Sequence, residues 1–264
     1  MKLPVALTIA GSDSGGGAGI QADLKTFAAM GVHGTSALTA ITAQNTLGVT
    51  DIMELPPALV AAQIEAVMLD IGAQGAKTGM LSSAEIIEVV ATAIAHFNIR
   101  NLVVDPVMVA KGGARLLRDD AVDALRRRLI PLAAVVTPNL PEAEVLLGRP
   151  VRTLDERRQA ARDLVALGAR AAVVKGGHAE EPQALDHYFD GTDLVELQSP
   201  RIATANTHGS GCVFSAAIAA ELAKGSDSLA AVLLAKEFIT GAIEHSLDVG
   251  RGHGPVNPMF KIVG

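Results

Sequence analysis

Short apolar runs alternate along this chain with segments of helical spacing, and this alternation limits the folds open to it. Runs such as Val5–Ala10 and Ala171–Val174 are apolar throughout, which is typical of strands buried on both faces. Segments such as Ile20–Met30 and Asp155–Leu167 instead place apolar residues on one helical face. Strands that alternate with helices predict a parallel sheet covered by helices on both faces. Because no linker divides the chain, we expect a single α/β domain over residues 1–264.

The remaining elements follow the same alternation. Further strands are predicted at Thr35–Ala43, Val49–Glu54, Ala73–Thr78, Asn101–Val104 and Ala133–Thr137, and further helices at Pro57–Leu69, from Ser82 or Ser83 to His96, Asp119–Leu129, Pro141–Leu147 and Ser228–His245. The segments Ala184–Phe189 and Leu194–Gln198 flank Asp190-Gly191, a dipeptide that favours a type I′ hairpin turn. The sheet is therefore expected to be mostly, but not wholly, parallel.

Charge and cysteine content exclude several classes of protein. A net charge of −6 argues against a general nucleic-acid binder. The single cysteine excludes an internal disulfide and any cysteine-based zinc site, and it fits a reducing compartment. No run of about 18 uncharged apolar residues is free of loop signals, so no membrane-spanning helix is predicted. We expect a cytoplasmic protein that binds neither nucleic acid nor membranes.

The stretch from Asn206 to Lys224 combines a small polar head with an apolar helical tail. Its glycines have the spacing Gly209-x-Gly211, and the helix that follows should end at Gly225. Unpaired N–H groups and a partial positive charge at the start of such a helix form an anion hole. A helix N-terminus lowers the pKa of a thiol and so favours a thiolate at Cys212, whereas an apolar pocket favours the thiol. The alternative is that Cys212 is a small buried apolar residue.

Polar residues follow the predicted strands where each strand ends. Ligands of open α/β sheets bind beyond the carboxyl ends of the strands, so these residues are expected to share one site. They are Gly11, Ser12 and Asp13 after the first strand, Gln44 and Asn45 after the second, and Asp105, Asn139 and Lys175 after later strands. The alternative for any one of them is a solvated loop residue.

The chemistry of this set suits phosphoryl transfer, which depends mainly on positioning and charge stabilisation. Asp105, Asn139 and Glu142 offer the hard oxygen ligands that Mg²⁺ prefers. Lys175 can neutralise phosphate oxygens, and the amides of Gly209–Cys212 can hold a migrating phosphoryl group. An acid in the first turn of a helix is also favoured by the helix dipole, which alone would explain Glu142.

Two nucleotide-binding motifs are excluded. Gly17–Ala22 matches the dinucleotide pattern G-x-G-x-x-A, but its glycines come six residues after the predicted strand. The second strand also ends in Gln44 and lacks an acid for a ribose. No G-x-x-x-x-G-K-[ST] sequence occurs, so a kinase here is not a P-loop enzyme.

The motifs of this chain resemble, in order and over nearly its whole length, those of the hydroxymethylpyrimidine/phosphomethylpyrimidine kinases of thiamine biosynthesis. They are Gly11–Thr26, Thr42–Thr46, Lys77–Leu81, Asp105–Met108, Thr137–Ala143, Lys175–His178 and Asn206–Cys212. The resemblance implies the ribokinase-like three-layer sandwich, with a central, mostly parallel sheet. It also implies ATP and Mg²⁺, and two successive phosphorylations at one site.

The resemblance also implies roles for individual residues. The pyrimidine pocket would be lined by Gly11, Asp23, Gln44, Met80 and Val107; Asn139, Lys175 and Thr207 would bind ATP; and Asp105 and Glu142 would bind the metal. Gly209, Ser210, Gly211 and Cys212 would be catalytic, with Cys212 near the hydroxymethyl oxygen. Most of the superfamily has Asp at that position, and Cys resembles the pyrimidine-kinase branch.

Several alternatives stay open at this point. Some bacterial pyridoxal kinases share Cys212 and much of the rest, so pyridoxal is the second candidate substrate. A non-catalytic binding protein on the same fold is the third possibility. Superfamily analogy favours a homodimer, and Lys111-Gly112-Gly113 is expected to be a mobile flap.

Overall fold

The structure is a computed structural model that describes residues 3–109, 113, 116–177 and 183–262. Two residues of the predicted flap, Lys111 and Gly112, lie outside this range, as does His178. Over the described residues, none of the helices combines the length and the apolar character needed to cross a membrane.

The core of the molecule is a sheet of nine strands within the described residues. In chain order they are β1 (Val5–Asp13), β2 (His33–Asn45), β3 (Gly48–Glu54), β4 (Gly75–Thr78), β5 (Leu102–Val104), β6 (Val135–Val136), β7 (Ala172–Val174), β8 (Gln183–Phe189) and β9 (Leu194–Pro200). The spatial order is β3-β2-β1-β4-β5-β6-β7-β8-β9. The six strands from β2 to β7 in this order are parallel, whereas β3, β8 and β9 pair antiparallel at the two edges. The prediction of a mostly parallel sheet is confirmed.

Helices cover both faces of the sheet, as predicted. They are α1 (Gly19–Ala29), α2 (Pro57–Asp70), α3 (Ala84–His96), α4 (Asp119–Ala124), α5 (Leu140–Leu147), α6 (Leu154–Ala166), α7 (Ser210–Lys224) and α8 (Ser228–Glu244). Successive residues of a strand pack alternately against the two helical layers. In β5, Leu102 and Val104 pack with α2–α6, and Val103 packs with α1, α7 and α8. The three layers thus follow from strands that are apolar on both faces.

The strand order places a ligand crevice beside β1. The chain passes from β1 to β2 on one side and later returns to add β4 on the other side. The connections to the strands on the two sides of β1 therefore run in opposite directions. In open α/β sheets a ligand crevice lies where the direction changes, beyond the carboxyl ends of the strands. Helix α7 packs on this region, with contacts to β1, β4 and β5.

Three local predictions were wrong. The first strand was predicted to end at Ala10. Strand β1 instead continues to Asp13, because Ser12 and Asp13 still pair with Ile41 and Thr42 of β2. The predicted helix Asp119–Leu129 is regular only to Ala124 and continues as a wider π-helical turn over Leu125–Leu129.

The hairpin at Asp190-Gly191 exists, but its turn is not the predicted two-residue type I′. The ladder closes at Phe189 and Leu194, which leaves a four-residue loop. The Asp190 carboxylate accepts hydrogen bonds from the N–H groups of Thr192 and Asp193, and these bonds stabilise the longer turn.

Candidate active site

A cavity of about 810 Å³ opens at the carboxyl ends of the parallel strands, where the sequence placed the site. The residues that the sequence analysis assigned to the site line it, with the exceptions of Asp23 and Asn45. The lining residues include Gly11, Gln44, Met80, Asp105, Val107, Asn139, Glu142, Lys175, Thr207, Gly209, Ser210, Gly211 and Cys212. The strand ends of β1, β2, β4, β5, β6 and β7 and the start of α7 thus form one site.

An ion pair between Asp105 and Lys175 lies at the centre of the cavity wall. Lys175 Nζ donates to Asp105 Oδ1 over 3.1 Å, and Ser215 Oγ of α7 donates to Asp105 Oδ2 over 3.2 Å. Burial lowers the pKa of Lys175, but the combined attraction to the carboxylates of Asp105 and Glu142 has the larger effect. The pKa of Lys175 is therefore raised. Lys175 is therefore a permanent cation beside the first turn of α7.

Glu142 and Asn139 cap the start of α5 and also face the cavity. The Asn139 N–H donates to Glu142 Oε2 over 2.8 Å, and the Glu142 N–H donates to Asn139 Oδ1 over 2.9 Å. This reciprocal pair is a capping box. Glu142 thus stabilises the start of α5, in line with the alternative explanation for this residue, and it also lines the cavity. Burial, together with repulsion from Asp105, raises the pKa of Glu142 to about 7, although attraction to the Lys175 ammonium lowers it.

The start of α7 has the backbone geometry on which the predicted anion hole depends. The first intrahelical hydrogen bond runs from the Val213 N–H to the Gly209 carbonyl over 2.9 Å. Over the described residues, the N–H groups of Gly211 and Cys212 therefore have no backbone acceptor, as expected for a first helical turn. Gly209 has a φ of +77°, and a Cβ there would overlap the carbonyl oxygen of Gly17. Only glycine allows this close approach of the two glycine-rich loops.

Of the two opposing effects predicted for the Cys212 thiol, the structure favours the one that raises its pKa. Cys212 is half-buried in the first turn of α7, and burial raises the pKa of its thiol to about 11. The Lys77 ammonium lowers this pKa, but the carboxylates of Asp23 and Asp105 raise it again. Burial and the two carboxylates thus outweigh the Lys77 ammonium, and the thiol is protonated at neutral pH.

We expect alkylation of Cys212 to rise steeply with pH, because only the thiolate reacts. A thiol with a raised pKa gains its charge only as the pH approaches that value. The iodoacetamide rate constant should therefore increase about tenfold per pH unit between pH 7 and 10, without a plateau. Cys212 is the only cysteine, so the reaction reports on this residue alone, with Cys212→Ser as the blank. A plateau reached by pH 8 would contradict the raised pKa.

Asp23 does not line the cavity, contrary to what the resemblance implied. It is fully buried on α1, where its carboxylate accepts from Lys77 Nζ over 2.9 and 3.0 Å and from Thr8 Oγ1 over 2.6 Å. Lys77 does line the cavity, next to Met80 and Cys212 in the wall. Asp23 therefore acts on the site through the Lys77 ammonium and has no direct access to a ligand.

Apolar walls complete the cavity on the side of β1 and β4. Met80 and Val107 line it, and a Cβ at Gly11 would lie 2.5 Å from Met80 Cε. A side chain at Gly11 would therefore displace the flexible end of the Met80 side chain, which packs against the glycine. Gln44 provides the polar group facing this apolar wall, and its amide can both donate and accept hydrogen bonds.

Two ion pairs of the cavity were not predicted from the sequence, although Asp13 was expected at the site. Asp13 Oδ2 lies 2.9 Å from His208 Nε2, and both residues are buried. A second pair on the far side of the cavity joins Lys236 Nζ to Asp186 Oδ2 over 2.7 Å. Asp13 and His208 stand inside the quoted motifs, but their pairing spans 195 positions of sequence, which no local pattern reveals.

Comparison with known proteins identifies the family. A sequence profile of phosphomethylpyrimidine kinase matches residues 13–257. The chain belongs to the phosphomethylpyrimidine kinase family. The hydroxymethylpyrimidine/phosphomethylpyrimidine kinase of Haemophilus influenzae is 55% identical over 256 residues, which cover 95% of each chain.

A longer relative of the same family carries a further region. The thiamine biosynthesis bifunctional protein of Geobacter sulfurreducens is 53% identical over 251 residues, which cover 95% of this chain and 51% of that protein. The chain thus spans about half the length of this relative and nearly all of the Haemophilus enzyme.

The ribokinase-like fold is shared with pyridoxal kinases. The pyridoxal kinase of Bacillus subtilis, solved as an ADP complex, superposes with a TM-score of 0.93 at 42% identity, and the match covers 100% of both chains. Because this fold serves more than one vitamin substrate, the fold alone does not select the substrate of a phosphomethylpyrimidine kinase family member.

Proposed function

We propose that this chain transfers phosphate from ATP to 4-amino-5-hydroxymethyl-2-methylpyrimidine and then phosphorylates the monophosphate to the diphosphate, in thiamine diphosphate biosynthesis. The observation that carries the proposal is that one cavity is lined by the first turn of α7, by Gln44 and by the apolar residues Met80 and Val107. The names of the Haemophilus and Geobacter relatives support it.

The acceptor would lie between Gln44 and the apolar wall. The Gln44 amide can accept from the amino group and donate to a ring nitrogen of the pyrimidine. Met80 and Val107 would pack on the ring, with Gly11 leaving room for Met80. The hydroxymethyl oxygen would then lie at the start of α7, near Cys212.

The phosphates of ATP would also lie at the first turn of α7, on the side away from the acceptor. The amides of Gly211 and Cys212 and the Lys175 ammonium would stabilise the charge that spreads over the transferred phosphoryl oxygens. Thr207 and Asn139 line this part of the cavity. The hydroxymethyl oxygen forms a bond to the γ-phosphorus, and the bond from that phosphorus to the bridging oxygen of ADP breaks.

Asp105 and Glu142 suit Mg²⁺, which usually binds through one or two carboxylates, the substrate phosphates and water. Their mutual repulsion raises the pKa of Glu142, and a divalent cation would relieve it. The described residues contain no group of three or more metal-ligating side chains, which fits a metal that arrives with ATP. Bound Mg²⁺ would neutralise phosphate charge.

The raised pKa of Cys212 supports a positioning role for the thiol. A loose transition state requires little proton removal from the attacking hydroxyl group early in the reaction. Cys212 would therefore orient the hydroxymethyl oxygen towards phosphorus, and the hydroxyl proton would leave late, to the phosphoryl oxygens.

Replacing Gln44 by leucine is expected to raise the KM for hydroxymethylpyrimidine about tenfold, because a buried hydrogen-bonding partner is worth about 1–3 kcal/mol. The KM for ATP should stay unchanged, since Gln44 lies on the acceptor side. Steady-state kinetics with each substrate varied in turn measure both constants. An unchanged KM for hydroxymethylpyrimidine would remove Gln44 from the pocket.

The proposal is tested by ADP release with three acceptors: hydroxymethylpyrimidine, its monophosphate and pyridoxal. We expect turnover with the first two, dependent on Mg²⁺, and a much lower kcat/KM with pyridoxal. Turnover of pyridoxal alone would favour the second candidate substrate, and no turnover with any acceptor would favour a binding protein. A homodimer and a cytoplasmic location remain predictions, to be measured by light scattering and by fractionation.

A further inference from the structure

The backbone of Gln44 is held in place by the glycine-rich loop after β1. The Gln44 N–H donates to Ser14 Oγ over 2.8 Å, and Ser14 Oγ donates to the Gln44 carbonyl over 2.7 Å. With its backbone fixed on both sides, Gln44 retains freedom only in its side chain. The direction of the terminal amide then decides which hydrogen-bonding groups face the cavity.

One neighbour of the amide is His208, whose proton is committed to Asp13. The Asp13 carboxylate accepts from the N–H groups of Gly15, Gly17 and Ala18 over 2.8 to 3.1 Å. Burial would raise the pKa of Asp13, but the hydrogen bonds from His208 and Gly15 outweigh it and lower the pKa. An ionised carboxylate only accepts, so His208 Nε2, 2.9 Å away, carries a hydrogen. This N–H group donates to Asp13, and its partial positive charge favours an acceptor over a second donor as the nearest atom of Gln44.

The other neighbour of the amide is Thr42. Its single hydroxyl proton lies within reach of two acceptors, the Ser12 carbonyl at 2.8 Å and Gln44 Oε1 at 3.1 Å. The shorter bond to Ser12 joins adjacent parallel strands and takes the proton. Thr42 Oγ1 then presents lone pairs to Gln44, so its best partner is a donor.

Both neighbours, His208 and Thr42, therefore favour the same orientation of the Gln44 side-chain amide. The structure sets Nε2 beside His208 Nε2 at 3.4 Å, which opposes two donors, and Oε1 beside Thr42. A half-turn of the amide exchanges its two ends without moving any other atom and satisfies both neighbours. We propose that Thr42 and His208 are positioning residues that fix Gln44 with Oε1 towards His208 and Nε2 towards Thr42.

This inference rests on the proposed function, because it concerns the group that would read the pyrimidine. The fixed amide presents one acceptor and one donor to the cavity in a set order. That order can match an exocyclic amine next to a ring nitrogen, which is the edge of an aminopyrimidine. Thr42 and His208 would thus contribute to specificity through Gln44.

The inference is tested by a double-mutant cycle between Thr42→Val and Gln44→Leu. Thr42→Val keeps the side-chain shape and removes the acceptor, so the KM for hydroxymethylpyrimidine should rise about fivefold. The KM for ATP should not change. In the Gln44→Leu background the same substitution should have no further effect, because Thr42 acts through the amide. Thr42→Ser, which retains the hydroxyl group, should restore the wild-type KM.

His208→Gln and His208→Leu provide the second arm. Glutamine can still donate to Asp13 and leucine cannot, so only the leucine variant should raise the KM for hydroxymethylpyrimidine. Additive effects of Thr42→Val and Gln44→Leu, or equal changes in both KM values, would overturn the inference while leaving the proposed function intact. Wild-type protein without turnover of hydroxymethylpyrimidine would overturn both.

Discussion

Replacing Lys175 by methionine is expected to lower kcat for hydroxymethylpyrimidine by about 10²–10³-fold, the typical cost of losing one preorganised charge-stabilising donor. Lys175 Nζ lies beside Asp105 at the first turn of α7, and a Cβ at Gly211 would be 3.3 Å from it. The ammonium is thus placed where phosphoryl oxygens would meet the helix amides. Because its pKa is raised, it carries this charge over the whole working pH range.

Lys224→Met is the matched control for this prediction. Lys224 lies at the opposite end of the same helix, where it pairs with Glu221 over 2.8 Å outside the cavity. Its loss should leave kcat unchanged. Single-turnover kinetics at saturating ATP separate the chemical step from product release. If Lys175→Met kept kcat within threefold of the wild type, Lys175 would have no part in stabilising the transferred phosphate.

Gly209→Ala should lower kcat by about 10²-fold or more. Its positive φ disfavours any side chain, and the added Cβ would overlap the Gly17 carbonyl oxygen. The glycine-rich loop and the start of α7 must then move apart, which displaces the amides of Gly211 and Cys212. A misplacement of about 1 Å at a reacting centre can cost this much in rate.

Gly225→Ala separates this effect from general destabilisation of α7. Gly225 ends the same helix with a φ of +101°, and among the described residues no atom beyond its chain neighbours lies within 4 Å of where a Cβ would stand. Strain of about 1–2 kcal/mol should lower the thermal midpoint and leave kcat unchanged. Equal losses of kcat in both variants would show that the start of α7 has no special role.

The sequence predicted the sheet and most of the cavity because both depend on local patterns. Buried parallel strands are continuous apolar runs, and their polar ends must meet at one edge of the sheet. Asp105, Asn139 and Lys175 were found in this way. The predicted end of α7 at Gly225 is also confirmed, since the left-handed conformation there favours glycine.

The wrong predictions, and the balance of opposing effects at Cys212, concern effects that only the tertiary structure decides. Asp23 was expected in the pocket, but its helix turns it towards Lys77, which is 54 positions away in sequence. The helix terminus favours a thiolate at Cys212, whereas burial among Asp23 and Asp105 favours the thiol. The hairpin dipeptide at Asp190 favoured a short turn, but the carboxylate of Asp190 stabilises a longer one.

The central claim is that one cavity performs both phosphorylations, and the products of a single reaction mixture test it most directly. We predict that hydroxymethylpyrimidine with excess ATP and Mg²⁺ passes through the monophosphate to the diphosphate, releasing two ADP per pyrimidine. The monophosphate should also compete with hydroxymethylpyrimidine, and Lys175→Met should slow both steps together. Phosphorus NMR would follow each species. Absence of both phosphates, or loss of only one step in Lys175→Met, would contradict the account.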